Sequence, residues 1–424
     1  MRRNYLHLDF KGITPFAPKW PEYLKFFQKL GFDGLLLELD CKYAWKTWPG
    51  ATLDHYTEQE IREMIALAKA SGFEVSLLIQ IQGHLEWVLK HDRYASLREK
   101  GFINELCPCN PDAVKKVEDW IDEAVALCPD APYLHLGGDE VWHLCSCDAC
   151  KKRGAGAEDE KMAVYLGHAK RCCERVISHG MRPMLWSDMF VNRKCYGPIE
   201  TLPRETIIVN WAYHEKAPFP GLAEMQATGY DIWGAPAIRC GWGPDHLSGI
   251  YDSDGVAARV ANIRQWQQTG INLINTVWGR PSSFNVLYPP YHCFADAFAA
   301  AGTNGASWSI DGDDEFAVQS RRWRELQEEY DRLLRKGVLL FKWSIGLNRV
   351  ARYIGRRPGL FNADCYKQSE ALAKDVEALR KKLFDFFSDN GLSDAEEFID
   401  ERISMLTPPM EEPENPELER SEIL

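Results

Sequence analysis

No run in this chain is long and apolar enough to cross a bilayer. The opening residues, Met1-Arg2-Arg3-Asn4-Tyr5, pass straight into a strand-like run with no apolar core behind them, which predicts no secretory leader. An excess of basic charge is also missing. Fifty Lys and Arg stand against 62 Asp and Glu, a net of -12, and that balance argues against a nucleic-acid footprint. The 13 cysteines are odd in number and scattered, so they read as reduced thiols rather than a disulfide frame. The expectation is a cytoplasmic protein with neither a membrane nor a nucleic acid as partner. Oligomeric state is left open, with room for a homodimer.

What is present is length and aromatic mass. At 424 residues the chain accommodates a barrel of ~250 residues and an appendage. Its 15 Trp, 16 Tyr and 19 Phe exceed what a polar surface needs, and Trp faces suit stacking against sugar rings. Short apolar strands alternate with amphipathic helices. Strands are expected at Tyr5 to Phe10, Gly34 to Leu39, Glu74 to Ile81, Tyr133 onward, Arg182 to Met189, Thr206 to Tyr213, Asp231 to Ile238 and Ile271 to Trp278. Between them lie helices at Trp20 to Leu30, after the capping box Thr57-Glu58-Gln59-Glu60, after Asn110-Pro111, near Lys161 to Ser178 and at Gly255 to Gln268. Eight such units with strands rich in Leu, Ile and Val predict an α/β fold, a closed (β/α)8 TIM barrel over residues 1–310. One more buried segment is expected at Ala306 to Ile310. Residues 311–406 read as a helical C-terminal extension, with helices at Trp323 to Lys336, Leu339 to Tyr353 and Glu370 to Phe387, and a capping box at Ser393 to Glu396. The acidic, proline-rich tail 407–424 reads as disordered.

The chemistry concentrates where the strands end. Tyr133-Leu134-His135-Leu136-Gly137-Gly138-Asp139-Glu140 is a buried strand stopped by two glycines and followed by two carboxylates. The glycines relax the backbone so that both acids can turn into one cleft, where one stays ionised and the other carries a proton. A solvated acidic turn is the bland alternative, and the other strand ends weigh against it. They supply His7, Asp9 and Lys11; Glu38 and Asp40; Gln82 and His84; Trp186 and Asp188; Trp211 and Tyr213; Arg239; and Trp278 and Arg280. Convergent polar groups between aromatic walls describe a pocket for a polar ligand. Trp186, Trp211 and Trp278 serve equally well as core packing, and a lone histidine such as His84 or His135 is more often structural than ligand-binding. Cys145-Ser146-Cys147-Asp148-Ala149-Cys150, with Cys107 and Cys109 upstream, has thiol spacing that suits zinc but lacks an obvious fourth ligand. Reduced thiols beside the site are the preferred reading, and no metal or cofactor is expected.

These residues together resemble glycoside hydrolase family 20, the β-N-acetylhexosaminidases. His135-Leu136-Gly137-Gly138-Asp139-Glu140-Val141 matches the family signature. Gly83-His84, Cys109-Asn110-Pro111 and Arg182-Pro183-Met184-Leu185-Trp186-Ser187-Asp188-Met189 fall in the family's order, and the likeness covers about residues 5 to 310. Asp9-Phe10-Lys11-Gly12 and Trp278-Gly279-Arg280 look most like the short hexosaminidase D branch. The resemblance implies retaining, exo-acting hydrolysis of terminal β-linked GlcNAc or GalNAc, with the substrate's own acetamido oxygen as nucleophile. In that scheme Glu140 is the acid and base, Asp139 holds the acetamido N–H, and Tyr213 is the candidate donor to its carbonyl. Trp186, Trp211 and Trp278 would wall the methyl group. Asp9, Lys11, Glu38 and Arg280 would contact hydroxyls, with His84 and His135 nearby. The partner would be an oligosaccharide or glycoconjugate ending in N-acetylhexosamine. The chain departs from longer members in having Lys11 near their arginine, Trp-Gly-Arg for their Trp-Gly-Glu, and no tyrosine in Gly234-Ala235-Pro236. Two rival readings follow: a glycosidase with altered minus-one specificity, and a sugar-binding barrel without catalysis. A metal-dependent barrel hydrolase is a third, since His7, His84 and His135 lie on different strands, but no His-x-His pair ends strand one.

Overall fold

A computed structural model describes residues 2–11, 17–52, 55–214, 216–239, 253–279, 291–353, 363–392 and 395–407. Nine parallel strands form one closed sheet. They are β1 (Asn4–Asp9), β2 (Gly34–Glu38), β3 (Glu74–Leu78), β4 (Tyr133–His135), β5 (Arg182–Trp186), β6 (Ile207–Trp211), β7 (Asp231–Ala235), β8 (Ala237–Arg239) and β9 (Leu273–Val277). Neighbours pair in chain order to β7, and β9 closes the ring on β1 through Asn4↔Leu273 to Leu8↔Val277. The seventh stave, expected as one strand over Asp231 to Ile238, is split. Pro236 has no N–H for the ladder, so β7 touches β9 at the single pair Gly234↔Leu273 and β8 resumes alongside β9. The result is a (β/α)8 barrel whose seventh strand is two pieces.

Strand alternation sorts the side chains. Leu6, Leu8, Leu35, Leu37, Leu77 and Leu134 face outward into the main core beneath the helices. Tyr5, Leu36, Leu78, Tyr133, Met184, Trp186 and Trp233 form a second cluster within the ring. That interior changes character along the barrel axis. Tyr5, Tyr133 and Trp233 meet edge to face at 5.3–5.9 Å and plug one end. Two residues further along the strands the inward positions become His7 and His135, and then Asp9 and Glu38, all buried. An apolar floor thus carries a polar mouth at the carboxyl ends of the strands, the end where barrel sites lie.

The helix starts follow local chemistry. Thr57 Oγ1 accepts from Glu60 N, and the Glu60 carboxylate accepts from Thr57 N, which completes the capping box of Glu58–Ala70. Asn110 caps Pro111–Leu127. The C-terminal region departs from expectation in two places. A single helix, Glu315–Tyr353, replaces the two expected either side of Gly337; one interior glycine costs ~1 kcal/mol, and packing on the following helix, Ala363–Asn390, outweighs that. Within Ala306 to Ile310 only Trp308 is buried, packed against Phe26, while Ile310 is partly buried against the same core. Ser393 and Asp394 of the second capping box, and the tail from 408, lie outside the described residues. Among the described residues no helix is long and apolar enough to cross a membrane.

Candidate active site

Beyond His135 the chain leaves the strand through Gly137 at φ 61° and Gly138 at φ 80°, and Glu140 also takes a left-handed φ of 51°. Only glycine enters that region freely. A Cβ on Gly137 would stand 1.9 Å from Gln80 Oε1, so the glycine is required for space as well as for conformation. This double turn cancels the strand alternation that would otherwise send Asp139 and Glu140 to opposite faces. Both carboxylates converge on one histidine: His84 Nε2 is 3.2 Å from Asp139 Oδ2 and 3.2 Å from Glu140 Oε2. His84 itself sits at φ 55°, after Gly83, where a Cβ would stand 2.4 Å from the Asp139 carbonyl.

The two acids differ in access. The Asp139 side chain is 7 % exposed and that of Glu140 is 25 % exposed. The deeper acid is suited to a group held inside the pocket, and the more open one to a group that enters and leaves. Beneath them lies Asp188, buried, whose Oδ2 accepts from Glu140 N at 2.9 Å and whose Oδ1 accepts from Trp211 Nε1 at 3.4 Å. Burial first, then the Asp139 charge, push the Asp188 carboxyl up to about 7. Asp188 ties the backbone of the open acid to the aromatic wall, a role the sequence did not assign. Its signals there are its place two residues beyond a strand-ending tryptophan and within the stretch Arg182 to Met189 that follows the family's order.

The aromatic residues form a connected wall. Trp211 and Tyr213 stack at 5.0 Å, and Trp278 Nε1 donates to the Tyr213 hydroxyl at 2.9 Å. Trp278 lies 5.7 Å from Trp186 and 4.6 Å from His7 between ring centroids. Trp186 is fully buried and packs on His135, so it is the floor of the wall. Trp211 and Tyr213 are half-buried. A tyrosine oxygen that accepts from an indole keeps its own proton to donate.

His135 is placed as a support. It is fully buried, and its Nδ1 accepts from Gly137 N at 3.0 Å, which fixes the first of the two glycines. The residues expected to contact hydroxyls form a buried charge cluster. Lys11 Nζ lies 2.8 Å from Asp9, 3.2 Å from Glu38 and 2.7 Å from Asp40. Glu38 also meets His7 Nε2 at 3.0 Å and accepts from Gln80 Nε2 at 3.1 Å. Asp9 also accepts from Gly279 N at 2.9 Å, joining the ends of β1 and β9. Burial, opposed by Lys11 and reinforced by Glu38 and Asp9, raises the Asp40 carboxyl to about 7. Lys11 is thus held by carboxylates rather than left open to a hydroxyl alone. Arg280 lies outside the described residues.

An acid pair of unequal depth, set against stacked aromatics at the carboxyl ends of a (β/α)8 barrel, is an arrangement suited to holding a sugar ring. Residues 36–238 match the glycosyl hydrolase family 20 catalytic domain. Hexosaminidase D of Bos taurus is 29% identical over 311 residues, covering 66% of this chain and 86% of that one. Hexosaminidase D of Homo sapiens is 27% identical over 311 residues, covering 66% of this chain but only 61% of the human protein. The β-N-acetylhexosaminidase of Bacteroides fragilis shares the fold, with a TM-score of 0.56 at 18% identity over 77% of this chain and 71% of that one.

Proposed function

We propose that this chain is an exo-acting, retaining β-N-acetylhexosaminidase that releases terminal β-linked GlcNAc or GalNAc by substrate-assisted catalysis. The observation that carries the reading is the pair Asp139 and Glu140 on one histidine, one acid deep and one open. Glu140, as the acid, gives its proton to the glycosidic oxygen while the bond to the anomeric carbon breaks. The substrate's acetamido oxygen forms the new bond to that carbon, so no enzyme nucleophile is needed. Asp139 accepts from the acetamido N–H and offsets the positive charge that spreads over the oxazolinium ring. Tyr213, oriented by Trp278, donates to the acetamido oxygen and positions it. In the second half Glu140, now a carboxylate, takes a proton from water as that water attacks the anomeric carbon and the ring reopens. The free thiols among the described cysteines support a reducing, cytoplasmic setting.

The direct test is hydrolysis of chromogenic β-GlcNAc and β-GalNAc glycosides by wild type, Glu140→Gln and Asp139→Asn. Turnover by wild type with a loss of orders of magnitude in both variants is expected, and the ratio of the two sugars gives the epimer preference. One observation favours a second reading, altered minus-one specificity. The cation near the position of the family's sugar-binding arginine is Lys11, already surrounded by three carboxylates. A folded wild type that ignores both sugars but turns over another β-glycoside would select that reading.

A further inference from the structure

A second cluster lies apart from the acids. Cys107, Cys147, Cys150 and Glu99 each present one ligand atom, and the four atoms lie within 4.8 Å of one another. Cys107 Sγ is 3.6 Å from Cys147 Sγ and 3.6 Å from Cys150 Sγ, and Cys150 Sγ is 3.2 Å from Glu99 Oε2. A disulfide needs about 2.05 Å and uses two sulfurs, whereas here one sulfur is equidistant from two others. Two thiolates on a tetrahedral zinc at about 2.3 Å stand about 3.8 Å apart, and a thiolate and a carboxylate oxygen about 3.6 Å. The spacing therefore matches a four-ligand shell around one small ion.

The surroundings fit the same reading. Glu99 is fully buried, and a buried carboxylate is costly without a cation. Among the described residues it has no ion pair, and its other oxygen accepts from Cys147 N at 2.6 Å. Cys150 N points at Cys147 Sγ at 3.4 Å, orienting that sulfur as a backbone N–H does for a metal-bound thiolate. Cys145, which the sequence grouped with these residues, turns away, its sulfur 3.8 Å from Cys150 O and 3.6 Å from Glu160 O. The fold thus replaces Cys145 with Cys107 and supplies the fourth ligand, Glu99, from a segment more than forty residues upstream.

We propose that Cys107, Cys147, Cys150 and Glu99 bind one structural zinc ion. The three thiols lose their protons to solvent on binding, and thiolate softness with tetrahedral geometry selects zinc over oxygen-seeking cations. The ion would join two loops that form one side of the active site. One runs from Glu99 to Cys109, and its Leu106 N and Asn104 O bond to Gln82 and Leu85, on either side of Gly83 and His84. The other follows Glu140, and its Trp142 and His143 amides donate to the buried Glu105 of the first loop. The metal would hold His84 and the acid pair in register without touching substrate.

The test is the zinc content of full-length protein, purified reduced without added metal and measured by mass spectrometry. One zinc per chain, released on titration with a mercurial thiol reagent, is expected. Cys107→Ser and Cys150→Ser should lose it, and Cys145→Ser should keep it. Because the serine variants can fail to fold, wild type stripped of metal and refilled with Co2+ gives an independent reading. Thiolate-to-cobalt charge-transfer bands and tetrahedral d–d bands are expected. Folded wild type with no zinc and no cobalt spectrum overturns the proposal, as does a disulfide among these three cysteines in the freshly purified protein. Zinc kept by Glu99→Gln but lost by Cys109→Ser overturns Glu99 as the fourth ligand.

Discussion

Asp188 shows how a residue outside the acid pair can govern it. Its carboxyl accepts from the Glu140 amide while lying close enough to Asp139 to feel its charge, and it is pushed from 3.8 up to about 7. The folded protein therefore keeps a proton between about pH 4 and 7 that the unfolded chain has released. For a carboxyl raised in the fold, the stabilising contribution is full below the unfolded value and is lost as pH rises through the folded one. Asp188→Asn keeps an oxygen for the Glu140 amide but has no proton to lose. The urea midpoint of wild type should fall relative to this variant as pH rises from 4 to 7; parallel profiles across that window would remove the assignment. Tyr213→Phe tests the wall. On the proposed mechanism it removes the donor to the acetamido oxygen, and it leaves the ring stacked on Trp211. A drop in kcat of roughly 10²-fold with little change in KM is expected, the size seen on losing one preorganised donor. An unchanged kcat would show that Tyr213 only packs.

At the level of elements, the exit from β4 is the device on which the site depends. Gly137→Ala places a Cβ against Gln80 Oε1 and forces a left-handed φ on alanine. Gln80 is itself buried and donates to Glu38, so it cannot swing away without breaking into the Lys11 cluster. A loss of ~1–3 kcal/mol in unfolding free energy is expected for such a residue, and a change within error would show that the turn is not under this constraint. This exit also marks the boundary of what the sequence reveals. Leu, Ile and Val runs, Thr57 and Asn110 announce strands and helix caps because those signals are local. Asp139 and Glu140 stand out because two glycines precede them. The convergence of His84 on both acids, the burial of Lys11 by three carboxylates and the place of Asp188 under the Glu140 amide depend on strand order and register, which no single stretch encodes. The split at Pro236 was written in the sequence, but its effect depends on β9 lying alongside.

The whole molecule raises the question of whether barrel and helical extension are one cooperative unit. The main hydrophobic cluster runs without a break from barrel-facing residues such as Phe26 and Phe298 to Phe386 and Phe398 of the C-terminal helices. Phe316, near the start of the long helix, carries much of the join. Its ring stacks on Phe26 at 3.6 Å and on His292 at 4.4 Å, and Tyr23 and Phe298 approach it edge-on. The same seam is crossed by Lys29 to Asp314 at 2.9 Å, an exposed pair that adds little. Removing a buried phenylalanine ring costs ~3–5 kcal/mol when the cavity cannot close. If the seam is a true core, Phe316→Ala lowers the thermal midpoint of the entire chain. Loss of helicity and of near-ultraviolet tryptophan signal, which reports chiefly on the barrel, should then coincide in a single transition. Two separated transitions, with the tryptophan signal melting where wild type melts, would show instead that the extension rides on the barrel without sharing its stability. The helices would then be an addition the catalytic barrel could lose, whereas one shared transition makes them part of what holds β1 and its neighbours, and through them the mouth of the site, in place.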